Sequence, residues 1–176
     1  MIKHSLFGIT SAVLLALAPC VACGGPDGKS ANVVAGDMPA GEAWSGQYFH
    51  PVYGTLHLVE QDNNVVGKWQ RTDKSAWGQL SGTKIGNVLH FQWTEHKYGM
   101  VGPAASVSGK GYFVYKVGAD GIPALHGEYG LDSDEVGSSW DCVKQMMGKQ
   151  PIPPDPNSIS GETPGGNTTD EGSGFH

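Results

Sequence analysis

Residues 54–96 read GTLHLVEQDNNVVGKWQRTDKSAWGQLSGTKIGNVLHFQWTEH, and between its turn signals this stretch alternates strictly. One phase carries Leu56 and Leu58, then Gly67 and Trp69, then Gly78, Leu80 and Gly82, then Leu89, Phe91 and Trp93. The other carries His57, Lys68, Gln70, Gln79, Ser81, His90 and Gln92. Side chains two apart on an extended strand share a face, so each run has one apolar and one wet side. No run shows a capped helix, and the period is two throughout.

The same pattern continues outward. Strands are expected near 44–50, 54–61, 65–72, 77–84, 88–96, 108–117, 122–130 and 137–145. Asp62-Asn63-Asn64, Thr72-Asp73-Lys74, Ile85-Gly86-Asn87, Ala119-Asp120-Gly121 and Asp132-Ser133-Asp134 fall between them, where turns with positive φ are wanted. The apolar phase extends through Phe113 and Tyr115, Leu125, Gly127 and Tyr129, and Trp140 and Cys142. Short, one-sided strands joined by tight turns predict an all-β fold, an eight-stranded antiparallel up-and-down β-barrel, whose closure removes sheet edges. A Gly-x-aromatic triplet recurs at 46–48, 67–69, 111–113 and 127–129, placing a glycine where a strand bends and an aromatic ring inside.

Both ends differ in composition from this middle. The chain has 176 residues, 27 of them glycine and 11 proline, and both 24–43 and 147–176 are rich in them and poor in large apolar groups. Residues 1–22 have a short basic start at Lys3 and His4 and an apolar stretch from Leu6 to Ala22, the pattern of an export signal. The expected organisation is a signal peptide at 1–22, a flexible tether at 23–43, the barrel at 44–146 and a disordered tail at 147–176. The net charge is −6, and residues 44–148 are nearly balanced at eight Lys/Arg against ten Asp/Glu. Without a basic stripe, nucleic acid is excluded as a partner.

Pro19-Cys20-Val21-Ala22-Cys23-Gly24-Gly25 resembles a bacterial lipobox, with small residues before Cys23 and Cys20 at the position usually held by Leu. The resemblance implies cleavage before Cys23 and lipidation of its thiol, and so a lipid-anchored protein of the bacterial cell envelope. Gly24, rather than Asp, after that cysteine implies the outer membrane. Cys20 as the lipidated residue, or an ordinary secretory cleavage near Ala22, are the alternatives. With Cys20 removed and Cys23 blocked, Cys142 is left alone on a strand in phase with Trp140, as a small buried apolar residue.

The barrel itself resembles the calycin superfamily, meaning lipocalins and avidins, through Gly46-x-Tyr48 at its opening, Gly67-x-Trp69, and Trp140 in the closing strand. The lipocalin opening has Trp where this chain has Tyr48, and the closing strand offers Lys144 rather than an Arg. No ligand residue is carried over from either family.

Residue chemistry narrows the function further. His126 and Glu128 share a face, but His57 and His90 lie on strands that are not neighbours, so no metal set is expected. Glu95 is in phase with Leu89, Phe91 and Trp93. It either points inward near a barrel mouth, where it needs a polar partner, or reaches water at the strand's end. An enzyme built on Glu95 is the third-ranked reading; no catalytic set and no cofactor are expected. Trp69, Phe91, Trp93, Glu95, Phe113, Tyr129 and Trp140 are the candidate ligand-binding residues, while Gly67, Gly78, Gly82 and Gly127 would leave room beside them. The expected function is a non-enzymatic envelope binding module whose lumen or mouth takes a small apolar or aromatic ligand. The alternative is a protein-interaction or inhibitor barrel with a filled core, using the 97–107 loop, Trp77, His50 and Tyr53.

Overall fold

The strands alternate because their residues do, and their register then closes the sheet. The computed structural model describes residues 28–148 and 150–152; the signal segment 1–22, Cys23 and residues 153–176 lie outside them. In chain order come β1 (Gly46–His50), β2 (Gly54–Gln61), β3 (Asn64–Gln70), β4 (Ala76–Ile85) and β5 (Val88–Lys97). A 3₁₀ turn at Pro103–Ala105 leads to β6 (Ser106–Val117) and β7 (Pro123–Leu131). Each is antiparallel to the next.

The closing stave comes in two pieces, β8 (Ser138–Ser139) and β9 (Cys142–Lys144). Both keep one register against β7, Glu128 opposite Ser139 and Leu125 opposite Cys142. Between the pieces the Trp140 amide still donates to Gly127 O at 2.8 Å. Tyr48 then pairs with Lys144 and Phe49 with Val143, joining β9 to β1. The result is a closed eight-stave antiparallel barrel with sequential neighbours. The turns between staves carry positive φ at Asp62, Lys74, Gly86, Gly121 and Asp132, one at each turn expected from the sequence.

The alternation sorts inside from outside. Leu56, Leu58, Trp69, Leu80, Leu89, Phe91, Trp93, Phe113, Tyr115, Leu125, Trp140 and Cys142 are all buried. Trp140 is the hub: its ring meets Trp69, Phe113, Tyr53, Tyr129 and Phe91 edge-on, at centroid distances from 5.0 to 6.0 Å. Edge-to-face contact of this kind adds to the area the rings bury.

The interior glycines do not leave the room expected of them. A Cβ on Gly78 would lie 2.1 Å from the Trp69 ring, and one on Gly67 2.6 Å from Leu58. At Gly82 and Gly127 the obstruction is the neighbouring strand's backbone, His90 O at 2.1 Å and Tyr112 O at 1.9 Å. Each glycine therefore sits where a ring or a strand closes in, and the middle of the lumen is filled.

Two boundaries differ from the sequence reading. Residues 28–43, expected to be flexible tether, run along the barrel wall. The Lys29 and Ala31 amides donate to Asp134 Oδ1 at 2.9 Å and Glu135 Oε2 at 2.8 Å, and Glu135 N returns a bond to Lys29 O at 2.7 Å. Gly36 and Asn87 exchange a similar pair. Glycine-rich chain buries little apolar surface, but here its backbone is held by side chains of the β5 and β7 turns. The expected tail likewise starts later: β10 (Met146–Met147) pairs with β11 (Gln150–Pro151), and Ile152 bonds Gln145 and Gln47.

One end of the barrel is shut by this incoming segment. Trp44 is buried, edge-on to Tyr115 at 5.6 Å, and its carbonyl accepts from the Tyr48 hydroxyl at 2.8 Å. Lys144, also buried, donates to Ala43 O at 2.8 Å, Tyr115 Oη at 2.9 Å and Glu42 Oε2 at 3.4 Å. Its ammonium lies 5.7 Å from the centre of the Tyr48 ring. Burial pulls the Lys144 ammonium below the usual lysine range and pushes the Tyr48 and Tyr115 phenols up.

Candidate functional site

The opposite end is open. β3 and β5 are adjacent to β4 on either side, and they end at this mouth with Arg71 just past β3 and Glu95 near the end of β5. Because Arg71 lies two residues beyond Trp69, it falls in the inward phase. Glu95 sits opposite Gly78, whose missing side chain lets the Trp69 indole reach over β4 to Glu95.

Glu95 points inward and is 7% exposed. Arg71 grips it with two parallel bonds, Nε to Oε2 and Nη2 to Oε1, both 2.9 Å. The Trp69 indole N–H adds a third donor to Oε2 at 3.4 Å. The need for a polar partner is thus met by Arg71, and the alternative in which Glu95 reaches water does not hold. The paired carboxylate in turn holds the Arg71 guanidinium above its ordinary range.

Above Trp140 these groups form the wall of a cavity of about 250 Å³. Its ring surfaces are Tyr53, Trp69, Trp93, Tyr129 and Trp140, and Lys97, Val107 and Leu131 stand at its rim beside Arg71 and Glu95. Tyr53 and Tyr129 share a hydroxyl–hydroxyl bond of 2.8 Å and meet edge-on at 5.7 Å. Burial and that bond push the Tyr53 phenol up to about 12, so it is neutral at ordinary pH. The Arg71 guanidinium carbon lies 5.4 Å from the Tyr53 ring centre. Trp93 is fixed by its N–H, which is shared between Lys110 O at 3.0 Å and Gly130 O at 3.2 Å. The buried Trp140 indole N–H has no hydrogen-bond partner among the described residues.

Of the residues singled out from the sequence, Trp69, Trp93, Glu95, Tyr129 and Trp140 converge on this cup. Phe91 and Phe113 do not line it. They meet at a tilt, 4.8 Å apart, in the filled core beneath and support Trp140 from below. Arg71, Tyr53 and Lys97 belong to the cup without having been selected for it; the phase of Arg71 relative to Trp69 was the readable signal.

The remaining candidates are engaged elsewhere. His126 contacts Asp141 at 3.2 Å and Glu128 accepts from Tyr112 and the Gly137 amide, so these two do not share a ligand. His90 bonds Glu135 at 2.5 Å. His50 accepts two backbone N–H groups on Nδ1, and burial draws its imidazole below the usual range. Among the described residues no group of three His, Cys, Asp or Glu converges on a metal position. Burial pushes the Cys142 thiol up to about 12, far from the range of a nucleophile. A wider concavity of about 640 Å³ crosses the outer wall of β2–β6, where Val59 and Val66 lie among wet-phase side chains that include Lys68, Gln79, Gln92 and Lys110. The cup is distinguished by five ring-bearing side chains that converge at the barrel mouth with a few polar groups.

Comparison with protein-family models, curated proteins and solved structures finds no match for this chain. What the fold and site define is a closed eight-stave β-barrel with a buried aromatic cluster, plugged at one end and hollowed into an aromatic cup at the other.

Proposed function

We propose that this protein is a non-enzymatic binding module of the bacterial cell envelope, held to the outer membrane by lipid on Cys23, whose barrel mouth takes a small aromatic ligand. The observation that carries the binding reading is the cup itself. Five ring-bearing side chains converge on it while the lumen below is filled, so free space is concentrated where a ligand can enter. A preorganised, rigid aromatic wall lowers the ordering cost of binding. The anchor reading is supported by the Val21-Ala22-Cys23-Gly24 sequence. Attachment near residue 23 is also compatible with residues 28–43 reaching the barrel along its wall.

Titration with small aromatic probes, read by tryptophan emission, tests the cup. The wild type should respond, and Val107→Trp, which fills the mouth, should not. Equal response by both would refute binding there. For the anchor, Cys23→Ser should move the protein from the membrane to the soluble fraction, and unchanged retention would remove that part of the proposal.

A second reading, a protein-interaction barrel, is favoured by one observation: the connection between β5 and β6 exposes Met100 by 46% and Val101 by 95%. Pull-down from envelope extract with and without residues 98–105 separates the two. A partner lost only with that deletion supports the second reading, and retention of every partner rules the surface out.

A further inference from the structure

The hydrogen-bonding capacity left over in the cup points to the charge of its ligand. We propose that the cup selects a small aromatic anion, a single ring bearing a carboxylate on a short arm; this rests on the cup being the binding site.

The polar groups of the cup are unequally spent. Both Glu95 oxygens are occupied by Arg71, and Oε2 takes the Trp69 indole as well. That carboxylate has little acceptor capacity to offer. Arg71 has the opposite balance: a guanidinium carries five N–H groups, and two are committed to Glu95. Lys97 stands at the rim with an exposed ammonium and, among the described residues, makes no ion pair. The Tyr53–Tyr129 hydroxyl pair uses one of its two protons internally and leaves the other to give. Spare donors outnumber spare acceptors in the site, where only the two hydroxyl oxygens and part of Glu95 Oε1 can still accept, and two cations against one carboxylate leave it net positive.

A cationic ligand meets the wrong field. The site's own cation already lies against the Tyr53 ring, and its one carboxylate is engaged. A neutral ring would fill the walls but leave the Arg71 and Lys97 donors to water. Size sets the remaining limit. About 250 Å³ is below the ordinary range for drug-sized ligands, ~300–1,000 Å³. That volume suits no more than one ring with a short arm, its carboxylate at the rim beside Arg71 and Lys97.

Three ligands of matched shape test this by calorimetry on the full chain at pH 7: phenylacetate, 2-phenylethanol and 2-phenylethylamine. Phenylacetate should bind about tenfold tighter than the alcohol, the amine should be weakest, and added salt should weaken only the acid. Lys97→Gln should reduce the ratio of acid to alcohol affinity several-fold, a readout that a general loss of binding or folding would not move. Binding of all three with no preference for the acid overturns the anion inference while leaving the cup as a site. A preference for the amine overturns it equally. No binding by any of the three, together with no response to the aromatic probes, overturns the cup and this inference with it.

Discussion

Removing either half of the Arg71–Glu95 pair should destabilise the barrel, and by unequal amounts. The Glu95 side chain is 9% exposed and the Arg71 side chain 30%. Breaking a fully buried pair costs roughly 3–5 kcal/mol, because the surviving charge is stranded out of water. Arg71→Met strands the more deeply buried partner. The Trp69 indole at 3.4 Å compensates only in part, so the expected cost is about 2–3 kcal/mol. Glu95→Met leaves a guanidinium that can swing from the mouth into solvent, and its cost falls to about 1 kcal/mol. In the double variant neither charge remains, and stability should return to within about 1 kcal/mol of the wild type. Urea unfolding followed by circular dichroism measures all four proteins, with a shared slope as the check that the transition has not changed. Equal single costs, or a double variant that shows their simple sum, would refute the claim that Glu95 is buried and depends on Arg71.

Other consequences concern the core and the closed end. Trp140→Ala removes the ring on which five others converge and should cost about 3–5 kcal/mol, read as a lower urea midpoint. A midpoint within ~0.5 kcal/mol of the wild type would mean the hub is not packed. Gly78→Ala puts a methyl into the Trp69 ring and should cost about 1–3 kcal/mol while shifting tryptophan emission, as the indole is pushed into the cup. An unchanged spectrum would contradict that contact. The Cys142 thiol is raised to about 12 in the fold against 9.0 in a free thiol, so above pH 9 the unfolded chain loses its proton first. Its contribution is full below pH 9 and declines as pH rises, and Cys142→Ala should flatten that part of the stability curve. Equal alkaline slopes for the two proteins would argue against a buried thiol.

The fold was legible because one physical rule, the period of two, acts on every strand independently. Leu56, Trp69, Leu80, Phe91, Phe113 and Trp140 could each be assigned to the interior without knowing its neighbours, and closure followed from the absence of a preferred edge. The cup was only half legible. Phase could place Trp69 and Trp93 in the interior, and left Glu95 either inward near a mouth or in water. Arg71 lies just before the Thr72-Asp73-Lys74 turn, where a charged residue reads as loop, so the partner Glu95 required went unnamed. The open interior suggested by Gly67 and Gly78 failed for another reason. A glycine shows that a side chain is absent, not which neighbour fills the gap, and here Leu58 and Trp69 do. Nor does composition reveal that residues 28–43 lie along the wall, since Lys29 bonds Asp134 across 105 positions of sequence.

The five tryptophans offer a direct map of where a ligand sits. Trp69, Trp93 and Trp140 surround the cup, Trp44 plugs the far end, and Trp77 stacks on His96 at 4.5 Å on the outer wall. Proton–nitrogen correlation spectra of the indole N–H groups, recorded as phenylacetate is added, should show the first three signals move together while Trp44 and Trp77 stay in place. Movement of Trp77 or Trp44 with the other three unmoved would put the ligand outside the cup and contradict the account.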